Sequence, residues 1–152
     1  MKDIRVGFGY DFHELCHGSY LNLAGLKIES DYTIDSHSDG DIILHAISDA
    51  IYGSLASGDI GTHFPSNEST KNIKSCEIIQ HACKLLHNES YVISNVDVTI
   101  VLEKPYLQTK IYEMRKSLSN LISLDINKIS IKSSTSQKIG LIGTCKAVAC
   151  YA

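Results

Sequence analysis

The strongest constraint on the fold of this chain is an amphipathic segment at residues 41–57. Its apolar residues recur at intervals of three and four, and this spacing predicts a helix with one face in a hydrophobic core: Ile43, Ile47, Ala50, Ile51 and Leu55. An Asp-Gly-Asp turn at 39–41 supplies a capping and acidic start. Asp41, His45 and Asp49 follow one side of the same helix at intervals of four. Such a polar row is typical of a site wall, and for the two aspartates it is equally typical of a solvated face.

The segments around this helix predict an α+β fold. Alternating or glycine-punctuated apolar runs indicate strands at 4–10, 20–24, 91–102, 128–132 and 148–152, with a loop at 14–19 between the first two. Helical spacing indicates further helices at 75–87 and 107–122, and the Gly-, Pro- and Ser-rich stretch 58–74 is expected to be an exposed, mobile loop. Strands separated by helices in 152 residues predict one domain, 1–152, in which helices cover one face of a sheet.

Charge and composition exclude several classes of function. The chain has 14 Lys+Arg against 17 Asp+Glu and no basic run with interleaved aromatic residues, so we expect no nucleic-acid partner. No stretch approaches the roughly 20 apolar residues of a membrane span, and the N-terminal residues lack an export signal, which predicts a cytoplasmic protein. Five cysteines without a Cys-x-x-Cys pair are expected to be reduced thiols.

Two polar groups from separate segments predict a metal site. Asp11 and His13 are two residues apart, so in an extended chain both side chains project to the same side. Alone, this pair is more typical of a capping Asp beside a surface His. With His45 from the predicted helix, the pair becomes a set of two imidazoles and one carboxylate, which suits a catalytic zinc with a fourth position open. Asp41 or a backbone carbonyl is expected to orient an imidazole by a hydrogen bond, without contacting the metal itself.

Two loops carry further polar groups. Asp59 and Gly61 begin the 58–74 segment, where a carboxylate could accept hydrogen bonds from sugar hydroxyls and a glycine allows close approach of a ligand. Residues 132–138 contain consecutive hydroxyl side chains flanked by lysines, a composition that can surround phosphate oxygens. Each loop taken alone is more typical of an ordinary turn or polar loop.

Together these motifs resemble one known family, the 2-C-methyl-D-erythritol 2,4-cyclodiphosphate synthases. The resemblance is carried by GYDFH at 9–13, HSDGD at 37–41 with His45, DIG at 59–61 with Phe64-Pro65, and NVDVT at 95–99. Order and spacing agree from Val6 to Ala152, which is nearly the whole chain.

The resemblance implies a ferredoxin-like α+β sandwich that forms a homotrimer with active sites between neighbouring subunits. It implies the conversion of 4-diphosphocytidyl-2-C-methyl-D-erythritol 2-phosphate to 2-C-methyl-D-erythritol 2,4-cyclodiphosphate and CMP, a lyase step of non-mevalonate isoprenoid biosynthesis. Zinc or another divalent cation would lie on Asp11, His13 and His45, and Mg²⁺ or Mn²⁺ would bridge the diphosphate. His37 and Thr135 would stabilise the transition state.

The resemblance also implies which residues contact the substrate. The methylerythritol phosphate half would be held by Asp11, His13, His37, Ser38, Asp59, Ile60 and Gly61. The loop that closes over it would comprise Phe64, Pro65, Ser66, Asn67 and Glu68. The cytidine and diphosphate side, supplied by the neighbouring subunit, would comprise Leu102, Glu103, Lys104, Pro105, Tyr106, Leu107 and Gln108 together with Ser134, Thr135, Ser136 and Gln137. The remaining histidines, His17, His63, His81 and His87, are expected at the surface.

The chain departs from the family near its C-terminus. Gln137 stands where the family usually has an acidic residue that helps bind the second metal, which predicts weaker affinity for Mg²⁺ or Mn²⁺. Tyr106 stands where a lysine is frequent, and this removes one cationic contact with the cytidine phosphates. Around the expected trimer axis, four residues replace the common Arg, Gly, Glu and Glu, so a ligand in that cavity is not carried over: Thr144, Cys145, Lys146 and Tyr151.

Two other functions use the same residues. A zinc phosphohydrolase would direct a water molecule, rather than the substrate's own phosphate, at phosphorus, and its product would be a linear phosphate. A trimeric binding module would keep zinc and nucleotide without turnover, as the changes at Gln137 and Tyr106 suggest. Retention of His37, Thr135 and all three metal ligands favours the synthase.

Overall fold

A mixed sheet is the centre of the fold in the computed structural model, which describes residues 3–152. The strands are β1 Tyr10–His17, β2 Tyr20–Leu23, β3 Leu26–Glu29, β4 Tyr32–Ile34, β5 Val96–Val101, β6 Ile129–Ser134 and β7 Ala147–Tyr151. The helices are α1 Ile42–Ser54, α2 Ile60–His63, α3 Ser75–Asn88, α4 Ile111–Ile122 and α5 Gly140–Gly143. The five-stranded sheet has the order β4-β1-β7-β5-β6, and β2 and β3 form a separate hairpin.

Helices α1, α3 and α4 lie on one face of this sheet, as expected for a two-layer α+β sandwich. Side chains alternate along the strands: Val98 and Ile131 are buried on the helix side, whereas Asp97 and Lys132 are exposed on the other side. One hydrophobic cluster includes residues from β1 to β7. The predicted α+β class is therefore confirmed.

The order of elements differs from the ferredoxin-like arrangement that we expected. A ferredoxin-like sandwich follows the order β-α-β-β-α-β, whereas the main sheet, apart from its edge strand β4, follows β1-α1-β5-α4-β6-β7. Because α4 connects β5 to β6, these two strands are parallel neighbours. Strand β7 then returns antiparallel between β1 and β5.

The first strand lies later in the sequence than predicted. We expected a strand at 4–10 and a loop at 14–19, but β1 continues through this predicted loop to His17, pairing with β7 and then with β4. The preceding segment instead packs its backbone on α1: a Cβ atom at Gly9 would lie 1.8 Å from the Ala46 carbonyl oxygen. Backbone contact of this kind leaves no side-chain pattern in the sequence. Asp11 is consequently near the beginning of β1 rather than its end.

The other predicted elements are confirmed with shifts at their ends: β2, α1, α3, α4, β5, β6 and β7. The short strands β3 and β4 were missed because four and three residues are too few for a visible alternation. The segment 58–74 is mostly exposed, as predicted, and contains the short helix α2. Its mobility stays a prediction.

Two further expectations concern membranes and thiols. Across residues 3–152, no helix combines the length and apolar character that crossing a bilayer requires. All five cysteines are free thiols, as predicted.

We expect Gly9→Ala to lower the free energy of unfolding by more than about 2 kcal/mol, because the added methyl group would meet the backbone of α1. Gly53→Ala is the matched control: this glycine is exposed in α1, and the new Cβ would lie 4.0 Å from the Phe8 carbonyl oxygen, an ordinary van der Waals contact. The control should leave stability unchanged or raise it by up to about 1 kcal/mol. Urea denaturation measures both, and equal stabilities would contradict the packing described here.

Candidate metal centre and active site

The polar row of α1 is not a solvated face. Asp41 is 1% exposed and caps the helix: its carboxylate accepts hydrogen bonds from the backbone N–H groups of Leu44, Ala24 and Gly25 at 3.1, 3.0 and 2.6 Å. Burial raises the pKa of this carboxyl, although the three hydrogen bonds oppose the rise. Asp41 therefore joins α1 to the β2–β3 turn. The imidazole-orienting role that we expected for it is wrong, because its oxygens bond to backbone N–H groups.

Asp49, two turns further along, holds the start of α2. Its Oδ1 atom accepts a hydrogen bond of 2.8 Å from the backbone N–H of Ile60. Burial raises the pKa of the Asp49 carboxyl, the Ile60 N–H opposes this, and nearby Asp59 adds to it. The middle of the polar row, His45, lies between these two anchors and points at β1.

Asp11, His13 and His45 converge where β1 crosses α1. Asp11 Oδ2 lies 2.9 Å from His45 Nδ1, and Asp11 Oδ1 lies 3.2 Å from His13 Nδ1. One ligand atom from each residue lies within 4.8 Å of the others. Burial alone would raise the pKa of Asp11, but hydrogen bonds and electrostatic interactions with His13 and His45 outweigh it and lower the pKa to about 2. The carboxyl group is therefore ionised at neutral pH.

The donor set fits a divalent metal ion. His13 Nδ1 is close to Asp11 Oδ1 but poorly aligned with it, so this buried nitrogen has no hydrogen-bond partner within residues 3–152. A buried polar atom without a partner is costly, and coordination would satisfy it. Two imidazole nitrogens and one carboxylate oxygen form the three-ligand set of a catalytic zinc site, with a fourth position open.

His37 supports the loop that follows α2. Its Nε2 atom lies 3.1 Å from the Asn67 carbonyl oxygen and 3.2 Å from Thr70 Oγ1, and the Thr70 hydroxyl also donates to the Pro65 carbonyl at 2.6 Å. Three residues of the 65–70 loop are thus joined by hydrogen bonds beside the imidazole. The structure brings the expected catalytic histidine against the loop expected to close over a substrate.

Asp59 caps α2, since its Oδ1 atom accepts hydrogen bonds from the backbone N–H and the hydroxyl of Thr62, both at 2.8 Å. These hydrogen bonds lower the pKa of the exposed Asp59 carboxyl. Gly61 and the following Thr62 are exposed in the same short helix. The expected sugar-binding carboxylate therefore has one oxygen engaged in local structure.

Two of the four other histidines are not simple surface residues. His63 stacks on the fully buried Tyr52 ring at 4.3 Å, and His81 Nδ1 lies 2.9 Å from the Tyr52 hydroxyl oxygen. Burial lowers the pKa of His81, and the charge of His63 contributes in the same direction. His17 and His87 are exposed, as predicted. His63 and His81 are half-buried, and their contacts with Tyr52 hold the beginning of the 58–74 segment in place.

Glu103 joins the two loops expected to bind the nucleotide. Its Oε1 atom accepts hydrogen bonds from the Ser136 N–H at 3.0 Å, the Ser136 hydroxyl at 3.2 Å and the Lys138 N–H at 3.1 Å. The Lys138 N–H is the main cause of a lowered Glu103 pKa, with the Ser136 bonds adding to it. Gln137, between these donors, has a positive φ of 57° and directs its Nε2 atom at Thr135 Oγ1, 3.4 Å away.

Comparison with known proteins connects this geometry to a family. A model of the YgbB family matches residues 4–152. The chain is 39% identical to the 2-C-methyl-D-erythritol 2,4-cyclodiphosphate synthase of Chlorobaculum tepidum over 98% of this chain and 96% of that protein. It is 40% identical to the protein of the same name from Brachyspira hyodysenteriae, over 97% and 94% of the two chains. The chain belongs to the YgbB family.

The fold agrees with solved structures of such relatives. The structure described as IspF from Plasmodium falciparum in complex with CDP superposes with a TM-score of 0.86 at 37% identity, covering 97% of this chain and 91% of that chain. The fold of this YgbB-family chain is therefore shared with a protein whose structure has been solved as a CDP complex.

Within one YgbB-family chain, the two halves of the expected site are far apart. Asp11 pairs with Cys150, Cys150 with Ile100, and Ile100 with Ser133, so these residues form one row across the sheet. Three strand spacings separate Asp11 from Ser133, which is about 14 Å. The 134–137 loop therefore begins at the far edge of the sheet from the metal ligands.

The 102–108 loop is divided between core and surface. Lys104, Pro105 and Tyr106 line an open cleft of about 600 Å³ together with residues 29–32. Leu102 and Leu107 are 3% and 1% exposed, because their side chains belong to the hydrophobic core. The expectation that these two leucines contact a ligand therefore cannot apply to their side chains.

Sequence reasoning missed Ser75 and gave Asp39 only a capping role before α1. Ser75 Oγ lies 2.9 Å from His45 Nε2 in the interior, and it donates a very short hydrogen bond to Asp39 Oδ1. A single serine at the start of a helix has no distinguishing pattern, so no signal in this sequence would have found it.

We expect Asp49→Ala to raise amide hydrogen exchange at Ile60 by about tenfold, because the N–H loses a charged acceptor. Asp59→Ala is the matched control, since it removes the acceptor of the Thr62 N–H instead. Exchange followed by NMR should therefore rise at Ile60 in the first variant and at Thr62 in the second. Unchanged exchange at Ile60 in Asp49→Ala would contradict the anchoring role.

Proposed function

We propose that this protein is a cytoplasmic 2-C-methyl-D-erythritol 2,4-cyclodiphosphate synthase, a phosphorus-oxygen lyase of non-mevalonate isoprenoid biosynthesis. Its substrate is 4-diphosphocytidyl-2-C-methyl-D-erythritol 2-phosphate, and its second product is CMP. The observation that carries the proposal is the convergence of Asp11, His13 and His45 in a YgbB-family chain whose relatives bear this name. Residues 1–152 form one synthase domain, its free thiols suit a reducing compartment, and the proposal includes no nucleic-acid or membrane partner.

Zinc is the metal proposed for the three ligands, although another divalent cation has the same charge. When bound, it supplies a Lewis acid that polarises a phosphate oxygen at the open fourth position. The protein's own contribution is to hold an ionised carboxylate between two imidazoles before the metal arrives, as the pKa of about 2 for Asp11 indicates.

The reaction requires positioning more than a protein nucleophile. The 2-phosphate oxygen attacks the β-phosphorus in line while CMP leaves, so the chain must bring two anionic groups together. We assign the methylerythritol phosphate half to His37, Ser38 and the 59–61 turn, and the covering loop to residues 64–68. His37 and Thr135 stabilise charge that develops on the phosphate oxygens. Support comes from the contacts that hold His37 against Asn67 and Thr70.

The cytidine and diphosphate half of the site comes from a second copy of the chain in a homotrimer. Support comes from the separation of about 14 Å within one protomer, between the metal ligands and the 134–137 loop. The Glu103 hydrogen bonds hold that loop against residues 102–108, so both expected nucleotide segments form one unit. A second divalent cation, Mg²⁺ or Mn²⁺, would neutralise charge on the diphosphate, and Gln137, which offers a neutral amide oxygen in place of a carboxylate, would hold it with reduced affinity.

An aromatic patch on the open sheet face also supports the homotrimer. Phe8, Tyr10, Phe12 and Tyr151 are 71%, 48%, 42% and 39% exposed on one protomer. The Tyr151 ring contacts those of Phe8 and Tyr10 at 6.4 and 5.1 Å, so the patch is continuous. Contiguous exposed apolar surface of this kind is typical of a protein–protein interface.

Phosphorus NMR of the purified protein with the diphosphocytidyl substrate, zinc and Mg²⁺ tests the function. The synthase must produce CMP and a cyclic diphosphate together. A linear phosphate product would instead establish a phosphohydrolase, and binding without any new phosphorus signal would establish a binding module. Either result would reject the proposal.

His13→Ala should abolish tight zinc binding and reduce CMP release by more than the roughly 10- to 100-fold that loss of an outer-shell partner costs, because a direct ligand is removed. His17→Ala is the control, since His17 lies on the same strand but is exposed. Zinc content by mass spectrometry and CMP release measure the two effects. Full zinc binding by His13→Ala would show that the ligand set is wrong.

Phe8→Lys should convert the trimer to a single chain, because a lysine would be desolvated within the aromatic patch, of which Phe8 is the most exposed member. Tyr112→Lys is the control: Tyr112 is 64% exposed on α4, on the opposite layer of the sandwich. Analytical ultracentrifugation should give three chain masses for the native protein and the control. A single chain mass for the native protein would reject the homotrimer.

A further inference from the structure

The metal site requires one particular tautomer of His45. A neutral imidazole carries its proton on one ring nitrogen only, and the nitrogen that binds a metal must be the unprotonated one. Nδ1 of His45 faces Asp11 at 2.9 Å, on the side of the ligand cluster. The proton must therefore be on Nε2, which points away from the cluster into the protein.

Ser75 occupies the position that decides this tautomer. It is the first residue of α3, its side chain is completely buried, and its Oγ atom lies 2.9 Å from His45 Nε2. A hydroxyl group alone could donate to or accept from that nitrogen, and so would allow either tautomer.

Asp39 removes this ambiguity. Asp39 Oδ1 accepts hydrogen bonds from both the Ser75 hydroxyl and the Ser75 backbone N–H, the latter at 3.1 Å. With its hydrogen committed to Asp39, Ser75 Oγ has only lone pairs to offer to His45. The arrangement accordingly favours a proton on Nε2.

The same contacts fix Ser75 in place. The N-cap residue of α3, Lys74, makes no side-chain cap, so the first N–H of the helix is satisfied by Asp39 from a distant segment. The Asp39 backbone N–H in turn donates to the Ile73 carbonyl at 3.0 Å. Asp39 thus bonds to both the side chain and the backbone N–H of Ser75.

We infer that Ser75, oriented by Asp39, is a positioning residue that accepts a hydrogen bond from the Nε2–H group of His45 and so directs Nδ1 at the metal position. The inference rests on the proposed metal site. Ser38 Oγ also lies near His45 Nε2, at 3.1 Å, but it is only half-buried and also accepts the Gly40 N–H. Ser75 is completely buried and its hydroxyl hydrogen is donated to Asp39, so Ser75 is the stronger determinant.

The protonation of Nε2 can be measured on the native protein without metal. In long-range ¹H–¹⁵N NMR spectra of histidine-labelled protein, the inference requires Nε2 of His45 to carry a proton, whatever the state of Nδ1, which faces the Asp11 carboxylate at 2.9 Å. An Nε2 atom without a proton would overturn it. This measurement depends on no variant, so a variant that fails to fold cannot leave the inference untested, and it remains informative if the native protein binds no zinc and the proposed metal site fails.

Ser75→Ala then tests the consequence for metal affinity. It should weaken zinc binding by about 10- to 100-fold in a chelator competition, which is the usual cost of losing an outer-shell partner. Ser48→Ala is the matched control, because Ser48 is also a fully buried serine, bonded through Oγ to the Leu44 carbonyl at 2.7 Å. Native-like affinity in Ser75→Ala, or an equal loss in Ser48→Ala, would overturn the inference, as would a larger loss in Ser38→Ala.

Discussion

The rest of the structure depends on the close packing of β1 against α1. Gly9 allows the backbone entering the strand to approach the helix backbone so closely that a side chain would not fit. From there, alternate residues of β1 face the helix: Asp11 and His13 meet His45, and Leu15 enters the core. A carboxylate withdrawn from water is costly unless it is paired, and the two imidazoles supply that pairing.

Each loop of the site is then tied to this strand–helix contact by its own polar group. Asp49 holds the start of α2, His37 holds the 65–70 turn, and Asp39 holds the start of α3. These three links explain why a segment without regular structure can still have a defined position. They also place the expected substrate loop and the proposed metal ligands together against α1. The proposed nucleotide loops lie three strands away.

The sequence predicted the parts of the site that are set by periodicity and by recognisable blocks. The helix α1 and the convergence of Asp11, His13 and His45 were both predicted, because spacings of four and two have direct geometric meaning. The start of β1 was not, since it is fixed by contact between backbones. The β-α-β-α-β-β order was missed because strand pairing is non-local. The Asp41 role was assigned incorrectly because a sequence does not show which of several buried donors a carboxylate will meet. The contact of Ser75 with His45 was missed for the same reason.

The most direct test of the account is a crystal structure of the zinc-loaded protein with anomalous diffraction data collected at the zinc absorption edge. The account predicts one strong peak about 2.0–2.2 Å from an Asp11 carboxylate oxygen, His13 Nδ1 and His45 Nδ1, with a fourth, non-protein ligand completing a tetrahedron. A peak coordinated by other residues, or by the Nε2 atom of His45, would contradict it.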